Sequence, residues 1–157
     1  RAPELGALPP VDVHAVAEDE VEKYRVLVAG KPVALRFLEG PATGVRAPRE
    51  LVAAAIGNLV RNACQYTERG EVLVQVKQGQ VVVEDTGPGL PDAVRATLRQ
   101  PGGTPAAVPS KGSAGTGLGL SLVRRICEYL GATLAYEDRA GGGSRFTIRF
   151  PSDFTRS

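Results

Sequence analysis

At 157 residues the chain is long enough for one domain with a buried core and too short for two comfortable ones. Its 19 basic and 17 acidic residues leave a net charge of +2, aromatics make up 5% and Trp is absent, so neither bulk charge nor base stacking argues for a nucleic-acid partner. Hydrophobic residues at 43% and charged residues at 23% are ordinary for a soluble globular protein; no signal peptide opens the chain, and its apolar runs fall far short of the roughly 20 residues of a membrane-spanning helix.

In chain order, residues 1–10 (RAPELGALPP) are Pro-rich and read as an extended linker remnant, so the chain is expected to be one piece of a longer protein. Residues 12–29 have a helical rhythm with a charged face, broken at Gly30–Pro32. VALRFLEG reads as a strand, and a loop follows with a short strand around Gly44–Arg46. Pro48 suits the start of a second helix over about 49–67. After a turn at Arg69–Gly70, EVLVQVKQGQVVVED reads as a hairpin. Val72, Val74 and Val76 recur with period two, Gln78–Gly79 turns the chain, and Val81–Val83 form the second strand. DTGPGLPDAVRATLRQ predicts a tight turn and a short helix. Residues 100–115 are Gly, Pro, Ala and Ser with almost no core-forming residues, a loop long enough to point to function. A third helix, TGLGLSLVRRICEYLG, stops at Gly131; strands ATLAYED and SRFTIRF close the chain around a turn at Gly141–Gly143. The expected fold is α/β in the α+β sense: a two-layer sandwich with a mixed, mostly antiparallel sheet of about five strands against three larger helices. Cys64 and Cys127 lie far apart inside helical patterns. With a single histidine, His14, they assemble no zinc set and read as buried reduced thiols.

Three stretches carry chemistry. In GNLVRNACQYT (57–67) helical angles gather Val52, Ala55, Ile56, Leu59, Val60 and Ala63 on one face. Asn58 and Asn62, one turn apart, fall at its edge with Gln65 and Tyr66 nearby. Such amides serve as surface or capping groups, or as a polar rail along a ligand. An Asn oxygen is a neutral hard donor that suits Mg²⁺. In VVVEDTGPGL (81–90) a strand delivers Asp85 into a turn with Gly87 and Gly89. A carboxylate there can accept from an amino group such as that of adenine, though Asp-x-Gly also marks plain turns. In GTGLGLSLVRRI (115–126) Gly115, Gly117 and Gly119 precede an apolar helix, where free N–H groups and the helix dipole favour an anion. The glycine order fits neither a P-loop nor the dinucleotide fingerprint.

Together, in this order and spacing, the three stretches resemble the nucleotide-binding family of gyrase, heat-shock chaperone, mismatch-repair ATPase and histidine kinase, with its Bergerat ATP-binding fold. NLVRNACQYT resembles the N box, DTGPG the G1 box and GTGLGLSLV the G2 box; GGGSRFTIRFP is similar to the closing segment. The likeness is nearest to the catalytic and ATP-binding domain of sensor histidine kinases. It implies a catalytic domain over 11–151, with the N box at about 58–67, the G1 box at 85–89, an ATP lid at 91–114, the G2 box at 115–121 and a tail at 152–157. By this likeness Asn62 is the expected Mg²⁺ ligand, with Asn58 supporting metal or phosphates. Gln65 would hydrogen-bond a phosphate, Tyr66 would pack near adenine or ribose, and Asp85 would bind the adenine amino group in a pocket shaped by Gly87 and Gly89. Backbone N–H groups of Gly115, Thr116, Gly117, Leu118 and Gly119 would meet the phosphates, and Lys111 is the candidate lid contact.

Gln65 stands where the family usually has a basic residue, and the lid lacks a Phe-containing segment common in kinases. Hydrolysing members place a glutamate base one turn before the metal-binding Asn; here that position is Asn58, which takes no proton near neutral pH. The resemblance therefore implies transfer of the ATP γ-phosphoryl group to an acceptor. The expected acceptor is a histidine on a separate upstream dimerisation domain, because His14 lacks the acidic neighbour of phosphoacceptor histidines. The implied cofactors are ATP and Mg²⁺. The implied partners are that upstream domain and a response regulator, with the isolated domain monomeric and the full-length protein dimeric. The implied setting is a cytoplasmic domain of a membrane-anchored protein. The alternatives are a stand-alone serine kinase of the anti-sigma-factor type, which tends to keep the glutamate, and a non-catalytic nucleotide-binding module.

Overall fold

A computed structural model of the chain describes residues 8–41, 43–89, 96, 115–151 and 155–156. The expected lid, including Lys111, and the short helix after the Gly87–Gly89 turn fall outside these residues except for Ala96. Helix α1 (Val13–Tyr24) starts where the Asp12 carboxylate accepts from the Ala15 N–H at 3.2 Å, and it buries Val13, Val16, Ala17 and Val21 at helical spacing. It gives way to a short 3-10 turn at Arg25–Leu27, so the helical rhythm read through to residue 29 ends early. Helix α2 (Arg49–Tyr66) buries Val52, Ala55, Ile56, Leu59, Val60 and Ala63, the face its periodicity predicted. Helix α3 (Gly115–Leu130) buries Leu120, Val123, Ile126 and Leu130. Helix α2 packs between α1 and α3.

The helices cover one face of a five-stranded sheet of β2 (Val33–Leu38), β4 (Gly70–Lys77), β5 (Gln80–Asp85), β6 (Thr133–Asp138) and β7 (Ser144–Arg149), in the order β2-β4-β5-β7-β6. Only β2 and β4 pair in parallel; the other neighbours are antiparallel. The expected mixed, mostly antiparallel two-layer sandwich is the observed one. Val72, Val74 and Val76 of β4, Val81 and Val83 of β5, and Phe146 and Ile148 of β7 fill the inner face by period-two alternation. Asp85 and Ser144 continue that face to its end, directly opposite each other in register.

A second sheet was not foreseen. Strands β1 (Pro10–Asp12), β3 (Gly44–Arg46) and β8 (Thr155–Arg156) form a three-stranded sheet in the order β1-β3-β8. Strand β1 thus begins inside the stretch read as linker, and β8 lies in the stretch read as tail. Strand β3 is the short strand expected around Gly44–Arg46, whereas β1 and β8, at three and two residues, carry no measurable periodicity and nothing local announced them.

Candidate functional site

The site grows from α2. Its last three turns carry the core on one side and Asn58, Asn62 and Gln65 on the border. The Asn58 amide nitrogen donates to the Ala54 carbonyl at 2.7 Å. A Cβ on Gly119 of α3 would stand 3.2 Å from Asn58 Oδ1 and 3.2 Å from Asn62 Nδ2. The glycine therefore lets α3 close over both amides. Asn62 Nδ2 and Gln65 Oε1 are buried with no hydrogen-bond partner. Orphaned polar atoms are costly inside a protein, and each of these needs a partner that is not part of the described fold.

The C-terminal end of α2 forms a second cluster. The Thr67 N–H closes the last turn on the Ala63 carbonyl at 3.1 Å. The Lys31 ammonium donates to the carbonyls of Cys64, Gln65 and Thr67 at 3.1, 3.1 and 3.2 Å, and approaches the Glu68 carboxylate at 3.4 Å. A cation on the end of the helix satisfies carbonyls that have no intrahelical partner and meets the negative pole. So held, the chain runs into Thr67, which is fully buried and whose hydroxyl has no partner. Opposite stands Asp85, whose Oδ1 accepts from the Gly87 N–H at 2.8 Å. A Cβ on Gly87 would sit 3.0 Å from Asp85 Oδ1, 3.1 Å from Thr67 Oγ1 and 3.3 Å from the Tyr66 carbonyl oxygen. Gly89, at φ +83°, faces the Tyr136 and Ser144 hydroxyls. Burial pushes the Asp85 carboxyl above the usual carboxylate range, against the pull of the Gly87 N–H, the Arg139 guanidinium and the Ser144 N–H. A half-buried carboxylate of this kind is suited to a ligand that brings a further N–H donor.

The two clusters lie along one side of α2, the amides Asn58 and Asn62 with Gly119 at one end, Tyr66 with Asp85 and Gly87 at the other. The glycine segment differs from the expectation. Helix α3 begins at Gly115, so Gly115, Thr116, Gly117 and Leu118 make its first turn, with N–H groups free of intrahelical partners, while Gly119 lies inside the helix and contributes its missing side chain. Thr67, Ser144 and Lys31 were not singled out from the sequence. Alternation along SRFTIRF puts residues 144, 146 and 148 on one face, but the register of Ser144 against Asp85 belongs to the fold. His14 sits at the start of α1 with its ring 4.8 Å from that of Phe37, edge to face. Burial raises the Cys64 and Cys127 thiols to about 11 and about 12, which leaves them protonated and inert at neutral pH.

Among the described residues no group of three or more His, Cys, Asp or Glu side chains is placed to hold a metal ion. A divalent cation here would rest on side-chain amide oxygens, water and the ligand's own oxygens. That is the coordination Mg²⁺ takes with a nucleotide phosphate, so the donor set fits it. No helix of the described chain is long and apolar enough to cross a membrane.

The family described as histidine kinase-, DNA gyrase B-, and HSP90-like ATPase matches residues 48–153, from the start of α2 past the end of β7. The chain belongs to this family. It is 32% identical over 164 aligned positions to the C4-dicarboxylate transport sensor protein DctS of Rhodobacter capsulatus, covering 96% of this chain and 23% of that protein. It is 36% identical to the sensor protein kinase CarS of Pseudomonas aeruginosa, covering 74% of this chain and 28% of that one. The chain thus spans about a quarter of the length of these relatives. Full-length ShkA in complex with AMPPNP superposes with a TM-score of 0.74 at 26% identity, over 100% of this chain and 33% of ShkA. The nucleotide-free catalytic domain of histidine kinase ThkA shares the fold, with a TM-score of 0.74 at 23% identity over 91% of this chain and 94% of that one.

Proposed function

We propose that the chain binds ATP with Mg²⁺ and donates the γ-phosphoryl group to a histidine on a separate dimerisation and phosphotransfer domain of a sensor histidine kinase. The observation that carries this reading is the pair of clusters on α2. One end offers the half-buried Asp85 carboxylate, the buried Thr67 hydroxyl and Ser144 to a base with an amino group. The other offers orphaned amide atoms beside the first turn of α3, whose N–H groups have no partner within the helix, suited to phosphates and a hard cation. Mg²⁺, when bound, supplies charge neutralisation at the phosphates. Asn62 is its ligand, and Asn58 supports the metal or the phosphates. The chain's own residues bind and orient the nucleotide, which is most of what phosphoryl transfer asks of a protein.

The residue that separates transfer from hydrolysis is Asn58. A general base for water needs a titratable group one turn before Asn62, and an amide already donating to Ala54 is not one. Tyr66 packs at the base or ribose, Gln65 turns its free oxygen to a water or donor near the phosphates, and Lys111 reaches the phosphates from the lid over residues 91–114. The likeness to sensor kinases supports a response regulator as the downstream partner, and an anchored dimer as the full-length protein. Incubating the chain with γ-labelled ATP and a cognate histidine domain tests the reading. Label is expected on the added domain and none on this chain alone. Label on the chain itself, or no transfer although ATP binds, would overturn it, the latter in favour of a non-catalytic module.

A further inference from the structure

The turn between β6 and β7 lies directly on the peptide that carries Asp85. Gly143, at φ +108°, leaves no room for a side chain, because a Cβ there would strike the Asp85 carbonyl and stand 2.9 Å from the Thr86 Cα. The turn closes on itself through Gly142 N–H to the Arg139 carbonyl and Arg139 N–H to the Gly143 carbonyl, both 3.0 Å. The Arg139 guanidinium then ties it down. Nε donates to Glu84 Oε1 at 3.1 Å, Nη1 to the Gly142 carbonyl at 3.4 Å, and Nη2 stands 3.9 Å from Glu71 Oε2. One side chain thus links the turn to β5 and β4, one residue from Asp85.

We propose that Arg139 is a positioning residue for base recognition: its fork clamps the 139–143 turn onto the Asp85–Thr86 peptide and so sets the carboxylate that receives the amino group. This rests on the reading of Asp85 as the base acceptor. Among the described residues, the Asp85 carboxylate feels the Gly87 N–H, the Arg139 charge from the turn and the Ser144 N–H of β7, and its own charge in turn raises the Cys64 thiol of α2. Glu84 of β5 and Glu71 of β4 face Arg139, and Arg145 of β7 pairs with Glu84 at 3.1 Å. After the Gly87 N–H, the Arg139 charge works against burial and favours the ionised carboxylate, in support of the clamp.

The test is calorimetric titration of AMPPNP with Mg²⁺ from neutral pH downward, on wild type, R139Q, R139K and D85N. R139Q is expected to weaken binding at least ~5-fold at neutral pH, a charge-assisted hydrogen bond discounted for partial exposure. Its acid limb is also expected to move to higher pH, since Asp85 then keeps its proton further up the scale. R139K keeps the charge without the fork, so its affinity falls while its acid limb stays at the wild-type position. A merely structural role would lower R139Q affinity equally at every pH and would overturn the part played by its charge. Wild-type affinity in R139K would overturn the clamp, and that arm stands even if R139Q fails to fold. D85N is expected to lose binding. If it binds like wild type, the failure lies with the role of Asp85; if D85N loses binding and both Arg139 variants behave as wild type, it lies with Arg139 alone.

Discussion

Asp85 is a half-buried carboxylate whose surroundings only partly compensate for the water it loses. One oxygen takes the Gly87 N–H, the Ser144 N–H and Arg139 help, and burial still wins. The native carboxyl therefore binds its proton more tightly than the same group in the unfolded chain. Stability of the ligand-free fold falls as pH rises from the unfolded value through the raised native one, and the whole penalty stands above that native value. Asp85→Asn removes the charge while its amide oxygen still accepts from Gly87. The melting temperature of ligand-free D85N is expected to rise at neutral pH by about 2–4 °C for each kcal/mol relieved, and AMPPNP is expected to add no further stabilisation. A lower melting temperature would show that the fold depends on the ionised group. The unpartnered Thr67 hydroxyl beside it tells the same story in a neutral group: the site is complete only with a ligand.

At the scale of elements, α2 is both the centre of the core and the rail of the site, and this was legible in the sequence. Period 3.6 fixed its buried face, and that face fixed the border on which Asn58, Asn62 and Gln65 stand. Its C-terminal anchor was not legible. Lys31 is more than 30 residues away from the carbonyls it binds, as the Lys31–Cys64 bond shows, and nothing in GKPV marks it as a cap. Lys31→Met keeps the apolar stem and removes the donor. It is expected to cost about 1–2 kcal/mol in denaturant unfolding and to weaken AMPPNP binding, because residues 65–67 are then free to fray. An unchanged unfolding midpoint would mean that water caps the helix equally well. The outer face of the sheet follows the same rule of distant pairing. Arg36–Glu71, Glu71–Arg139, Arg139–Glu84, Glu84–Arg145 and Arg145–Glu137 form a ladder of alternating sign across all five strands, at 3.1 to 3.9 Å. The exposed pairs of the ladder contribute little singly; the half-buried Arg139–Glu84 pair at its centre holds the turn beside Asp85.

For the whole molecule, the five-stranded sandwich could be read from alternation, turn residues and glycine stops, because each large element declares its own period. The strand order β2-β4-β5-β7-β6 and the opposition of Asp85 to Ser144 are long-range facts that no window of sequence contains. The same holds for the small β1-β3-β8 sheet, which joins the two ends of the domain. Gly119 illustrates the difference within one motif. Its place in a glycine-rich stretch was visible, but its purpose, clearing a path for Asn58 and Asn62, appears only when α3 is laid against α2. The proposed function requires those amides to hold a metal-bound phosphate. The most direct measurement is calorimetric binding of a non-hydrolysable ATP analogue, with and without Mg²⁺, to wild type and Asn62→Ala. The substitution is expected to cut the Mg²⁺-dependent affinity at least ~10-fold, about 1.4 kcal/mol, and to leave Mg²⁺-free binding nearly unchanged. Equal affinities in the presence of Mg²⁺ would contradict the account and make Asn62 a structural residue.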